Sequence, residues 1–103
     1  MIFTATKLSG AFTIELTKFE DERGFFAHTW SENQFTEQGL DPRLAESAIS
    51  FNKRKGTLRG MHYQAPPHGQ VKLVRCTKGA IHDVIVDLRR DSPTFKTMGQ
   101  AQN

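Results

Sequence analysis

Strict alternation opens the readable part of the chain. In Phe12-Thr13-Ile14-Glu15-Leu16-Thr17 every second side chain is apolar, the pattern of a half-buried strand. Phe19-Glu20-Asp21-Glu22-Arg23-Gly24 reads as a turn and Phe25-Phe26-Ala27-His28-Thr29-Trp30 as a second strand. Ser31 followed by Gln34 has the form of a capping box, and Gly39 supplies a C-terminal stop, so one short helix is predicted over 32–38. Residues 45–52 alternate again, with Ile49 and Phe51 on one face. Three further strands are expected over 57–64, 70–77 and 80–88, the last two joined by a tight hairpin at Lys78-Gly79. The loop Ala65-Pro66-Pro67-His68-Gly69 cannot enter a central ladder. Six short strands, one helix and no repeat predict a single all-β domain over 1–103, an antiparallel sandwich or barrel.

The last residues fit that picture less well. Ser92-Pro93-Thr94-Phe95 resembles a turn into another strand, yet Met98-Gly99-Gln100-Ala101-Gln102-Asn103 simply stops. An open sheet ending there exposes unpaired edges. The expectation is a domain incomplete at its C-terminus, or one whose edge a second chain covers.

A chain of 103 residues with 37% hydrophobic positions and eight phenylalanines can build one core and is not disordered. No apolar run approaches the roughly 20 residues of a membrane span, and no signal-peptide pattern opens the chain. The lone Cys76 excludes an internal disulfide framework. A soluble cytoplasmic protein with no membrane partner is expected. Charge is unevenly spread: residues 1–52 hold four Lys/Arg against eight Asp/Glu, whereas residues 53–90 hold nine against two. The basic stretch favours an anionic partner, and a small phosphorylated ligand fits it. A solvated basic face is the plainer alternative. No nucleic-acid motif accompanies it, and nucleic acid is not the expected partner.

The densest chemistry lies in Gly56-Thr57-Leu58-Arg59-Gly60-Met61-His62-Tyr63-Gln64 and Gln70-Val71-Lys72-Leu73-Val74-Arg75. A histidine titrates near neutrality and can remove a carbon-bound proton acidified by an adjacent carbonyl. A lysine near that carbonyl oxygen stabilises the enolate, and an arginine grips phosphate oxygens in a fork. The alternative for His62 is a partly buried histidine satisfied by hydrogen bonds. Strict alternation puts Arg59 and His62 on opposite faces, so they can line one cavity only if the strand is interrupted, and Gly60 is the natural place.

Asp83 and Asp87 share a strand face beside Arg89 and Arg90, which favours a structural salt-bridge role over paired catalytic carboxylates; His82 falls on the opposite face. No metal site is expected. His28, His62, His68 and His82 are dispersed, and where a metal-binding cupin would place its ligands this chain has His62-Tyr63-Gln64 and then Gln70.

These motifs carry a specific resemblance. Asp21-Glu22-Arg23-Gly24-Phe25-Phe26, Gly56 to Gln64, Gln70 to Arg75, Asp83-Val84-Ile85-Val86-Asp87-Leu88-Arg89 and Ser92-Pro93-Thr94-Phe95 occur in an order that resembles the dTDP-4-dehydrorhamnose 3,5-epimerase family, over about residues 11–96. The resemblance implies a cupin-type jelly roll, a homodimer, no cofactor, and a dTDP-linked 4-keto-6-deoxyhexose epimerised at C3 and C5 in rhamnose biosynthesis. It covers the first part of a domain usually nearly twice as long. Residue by residue, it makes His62 the proton-abstracting base and Lys72 the group near the sugar keto oxygen. Arg59 and Arg23 become substrate-binding arginines, the second at the nucleotide end. Other implied readings are an epimerase or ketoisomerase on another 4-keto sugar nucleotide, and a non-catalytic sugar-nucleotide-binding remnant. The chain departs from the family pattern at His28, where a glutamate is usual, and at Glu46 and Ala48, where a glutamine and an asparagine are usual. The family's proton-donating tyrosine and the acidic partner of its base correspond to positions beyond 103. Tyr63, the sole tyrosine, belongs to the motif of the base and is not expected to be the acid.

Overall fold

A computed structural model describes residues 1–102. They divide into two compact units, one formed by Met1–Pro42 together with the segment from Val74 onward, the other by Arg43–Leu73.

The first unit holds all the regular structure. Strands β1 (Ile2–Ala5) and β2 (Phe12–Glu15) form an antiparallel pair, with Phe3 opposite Ile14 and Ala5 opposite Phe12. Strands β3 (Phe19–Asp21) and β4 (Gly24–Phe26) form a second pair, and β5 (His82–Val86) and β6 (Met98–Gln102) a third. The alternation read at Phe12–Glu15 is present, with Phe12 and Ile14 half-buried and Thr13 and Glu15 exposed. Helix α1 (Glu32–Glu37) lies where the capping signals put it. Ser31 Oγ accepts from the Gln34 N–H at 3.3 Å, but the Gln34 side chain does not close the capping box. Its Oε1 accepts instead from the N-terminal ammonium of Met1 at 3.1 Å. The helix stops at a Schellman arrangement, in which the Leu40 N–H donates to Phe35 O and the Gly39 N–H to Thr36 O, both at 3.0 Å. Gly39 sits at φ +73°, which a residue with a Cβ adopts at a cost.

The core is small. Phe35 is buried, with the Phe3 ring edge-on at 5.5 Å and Trp30 at 6.3 Å; Phe3 also meets Phe12 at 6.4 Å. Leu8 is the other buried apolar side chain among the described residues, packed so closely on Gly99 that a Cβ there would lie 3.1 Å from Leu8 Cδ1. Glycine at 99 therefore lets the β1–β2 connection approach β6.

Several expectations are corrected. Residues 19–21 form a strand, and the turn shrinks to Glu22-Arg23, because a ladder continues wherever the facing backbone is in register. Pairing also ends at Phe26, short of Trp30. Met98–Gln102 continues as β6 and, in place of residues 70–77, pairs with β5. Residues 45–52, 57–64 and 70–77 carry no strand. Alternation assigns faces, whereas a ladder requires a second backbone, and in Arg43–Leu73 the described residues supply none. Ile49 at 89%, Phe51 at 78% and Leu58 at 91% exposure show how little covers that segment. Among the described residues no helix is long and apolar enough to cross a membrane.

Candidate functional site

The candidate residues fall in both units. Arg59, His62 and Lys72 belong to Arg43–Leu73, and Arg23 belongs to the first unit. All four are exposed.

Arg23 occupies the β3–β4 turn, where Gly24 at φ +134° lets the chain reverse. Its guanidinium pairs with Asp21, Nη2 to Oδ2 at 2.6 Å and Nε to Oδ2 at 3.2 Å, and its backbone N–H donates to Oδ1 at 2.8 Å. These contacts hold the Asp21 carboxyl below the usual carboxylate range and push the Arg23 guanidinium up, the side-chain contact leading in each case. The pair is open to solvent, where screening makes it a positioning device rather than a source of stability. Lys18 Nζ lies 4.7 Å from the Phe25 ring centre, and His28 stands edge-on to Phe26 at 5.2 Å. Phe25 and Phe26 of β4 thus each have a polar neighbour, and His28, where the family pattern has a glutamate, is the one beside Phe26.

In the second unit the backbone around Gly60 departs from strand geometry. Gly60 has φ +104°, and a Cβ built on it would lie 3.9 Å from His62 Nδ1. The strand whose faces would separate Arg59 and His62 is absent over 57–64, so alternation does not set their directions. Arg59 is oriented locally: its Nε donates to Asn52 Oδ1 at 2.6 Å and its Nη2 to the Phe51 carbonyl at 3.3 Å. The loop between them is pinned by Thr57 Oγ1 donating to Arg54 O at 2.7 Å. It carries Lys53, Arg54 and Lys55, three cations a few positions before Arg59 in the sequence. His62 and Lys72 make no hydrogen bond among the described residues; burial does not satisfy His62, against the alternative raised from its sequence.

The polar residues that the structure does gather lie elsewhere in the first unit. Asp87 is buried, and its carboxylate accepts from Arg89 Nε at 3.0 Å, Ser92 Oγ at 2.6 Å and Thr94 Oγ1 at 2.7 Å. Arg89 continues to the Ser9 carbonyl, and the Ser9 N–H donates to Thr94 Oγ1 at 3.3 Å. The acidic pair read from Asp83 and Asp87 thus separates: Asp87 with Arg89 clasps two loops, as the structural reading expected, and Asp83 takes no part. A shallow cavity of about 260 Å³ beside this clasp, lined by Leu8, Gly10, Ile85, Asp87 and Arg89 among others, contains none of the candidate residues. Among the described residues no three His, Cys, Asp or Glu side chains gather as metal ligands would.

Asn52 was not singled out from sequence. Its only signal is position, seven residues before Arg59 across a basic loop that must fold back on itself.

Comparison with known proteins places this arrangement. Residues 5–102 match the family model for dTDP-4-dehydrorhamnose 3,5-epimerase. The chain is 46% identical over 94 residues to the dTDP-4-dehydrorhamnose 3,5-epimerase of Methanothermobacter thermautotrophicus, covering 90% of this chain and 49% of that protein. It is 40% identical over 95 residues to that of Sinorhizobium fredii, covering 92% and 49%. It superimposes on the crystal structure of the Elizabethkingia anophelis NUHP1 epimerase with a TM-score of 0.93 and 41% identity, covering 99% of this chain and 56% of that one. The Bacillus anthracis epimerase, solved with TDP and PPi bound, gives a TM-score of 0.92 at 37% identity, covering 98% and 58%. The fold class is therefore the all-β, cupin-type one of these epimerases. The chain spans about half the length of the curated relatives it matches. On the ordered motifs, the backbone path and the match over residues 5–102, the chain belongs to the dTDP-4-dehydrorhamnose 3,5-epimerase family.

Proposed function

We propose that this chain is part of one cytoplasmic epimerase domain that acts, as a homodimer, on a dTDP-linked 4-keto-6-deoxyhexose. The observation that carries the reading is its superposition, at a TM-score of 0.92, on a relative solved with TDP and PPi bound. His62 removes a proton from the carbon next to the C4 ketone. Lys72 places its ammonium near the ketone oxygen and stabilises the enolate that forms. Arg59 and Arg23 bind the diphosphate and nucleotide end. The ketone of the substrate acidifies both C3 and C5, so the chemistry calls for no cofactor. Reprotonation from the opposite face yields the epimer, and the family supplies that proton from a tyrosine corresponding to a position beyond 103.

Proton abstraction and inversion are therefore separable in residues 1–103 taken alone. In deuterated buffer, proton NMR of the keto sugar nucleotide is expected to show slow deuterium entry with little net epimerisation. Loss of a positioned general acid costs about 10²–10⁴-fold in rate. His62→Ala abolishes the exchange and Tyr63→Phe leaves it largely intact. Exchange that survives in His62→Ala overturns the assignment of the base. Efficient double epimerisation by the unmodified chain places the acid within these residues, with Tyr63 the first candidate.

A further inference from the structure

The contact between Asn52 and Arg59 assigns a role to a residue that the family reading leaves unused. A guanidinium has five N–H donors in one plane, and a diphosphate is gripped by two of them pointing the same way. In Arg59 the side edge is occupied: Nε donates to Asn52 Oδ1 at 2.6 Å and Nη2 to the Phe51 carbonyl at 3.3 Å. Of the three remaining N–H groups two point off the end of the fork, and none of the three makes a hydrogen bond among the described residues. Two contacts on one edge of a planar group fix both the direction of that end and its rotation about the side-chain axis.

The surroundings make this orientation necessary. Arg59 is exposed, so no packing holds it, and a long exposed side chain otherwise loses rotamer freedom only on binding. Lys53, Arg54 and Lys55 lie in the loop between the partners, so the charged residues of this stretch are all cations. The Asn52 carboxamide provides an acceptor without a charge. A carboxylate there would hold the arginine equally well while cancelling part of the charge meant for the ligand. We infer that Asn52 is a positioning residue for Arg59, holding the guanidinium by its Nε edge so that its outer fork faces the diphosphate of a nucleoside diphosphate sugar. The inference rests on the reading of Arg59 as a substrate-binding residue.

The test is a double-mutant cycle on residues 1–103, with dTDP as the probe and calorimetry as the measurement. Arg59→Ala is expected to weaken dTDP by about 10–100-fold, the range for a lost charge-assisted contact. Asn52→Ala weakens it by about 3–10-fold, as for a neutral hydrogen bond. In the Arg59→Ala background the Asn52→Ala change adds nothing, because its effect passes entirely through the guanidinium. A merely structural Asn52 would instead weaken binding in both backgrounds. A second readout needs no ligand: the Arg59 Nε–H resonance in nitrogen–proton NMR, assigned by its loss in Arg59→Ala, disappears in Asn52→Ala and persists in Asn52→Asp, which keeps the acceptor. Equal effects of Asn52→Ala in the two backgrounds, unchanged dTDP affinity in Asn52→Ala alone, or loss of the fold in that variant overturns the inference while leaving Arg59 in the site. An unchanged affinity in Arg59→Ala, or no dTDP binding by the unmodified chain, removes the underlying reading and the inference with it.

Discussion

Asp87 and Arg89 grip each other at two points, Nε to Oδ1 and Nη2 to Oδ2, both at 3.0 Å, although only one residue separates them. The contact turns Arg89 back across the β5–β6 connection, so that its Nη2 reaches the Ser9 carbonyl. A buried carboxylate is costly unless every oxygen has donors, and here Arg89, Ser92 and Thr94 supply them.

Arg89 first, then the Ser92 and Thr94 hydroxyls, hold the Asp87 carboxyl well below the usual carboxylate range. A depressed pKa in the folded state means that the unfolded chain binds the proton first. The stabilisation is complete above the ordinary carboxylate value and declines as pH falls through and below it. Urea midpoints for the unmodified chain and Asp87→Asn are expected to differ most near pH 7 and to begin converging only below about pH 4, with much of the gap still present at pH 3. A gap that stays constant across that range removes Asp87 as the acid-sensitive group.

Phe35 is the aromatic centre of the first unit, with Phe3 and Trp30 against it. Phe35→Ala removes a buried ring that the short β1–β2 pair cannot close over, at an expected cost of about 3 kcal/mol or more. Phe35→Leu costs less, because it keeps most of the volume. Denaturant melts followed by the fluorescence of Trp30 measure both. Equal stability of the alanine variant and the unmodified chain would show that the small core does not depend on this ring.

Gly39 ends α1 at φ +73° with open space where a Cβ would stand. Its replacement is therefore a backbone matter and not a clash. Gly39→Ala is expected to cost about 1 kcal/mol, and Gly39→Asn less, since asparagine tolerates that conformation better. Thermal melts of the two variants give the order. Alanine and asparagine variants of equal stability would argue against the left-handed cap.

The exposed Ile49, Phe51 and Leu58 alternate with polar residues in a segment without a ladder partner. Unpaired backbone beside exposed apolar side chains favours association, and the proposed homodimer draws on it. Sedimentation at micromolar concentration is expected to show a dimer or larger species, with Leu58→Lys shifted toward monomer. A stable, non-aggregating monomer of the unmodified chain counts against it.

Local signals determined the local structure. The alternation at Phe12–Glu15, the Ser31 N-cap and the Gly39 stop each depend on residues a few positions apart, so their physics is complete in the sequence, and the structure follows them. The ordered motifs from Asp21 to Phe95 likewise carried the family, because motif order survives in a linear reading. Strand pairing was different. Pro93 and the glutamines around Gly99 hid β6, which pairs in register with β5 while its Gly99 leaves room for the Leu8 side chain. The same requirement leaves 45–52 and 57–64 without ladders despite their alternation: a strand needs hydrogen-bond partners that no periodicity supplies. The site divides in the same way. Residue type and motif order named His62, Lys72, Arg23 and Arg59, but the hold of Asn52 on Arg59 depends on a folded loop across a separation of seven positions. That is a distance in space, and only the tertiary structure could decide it.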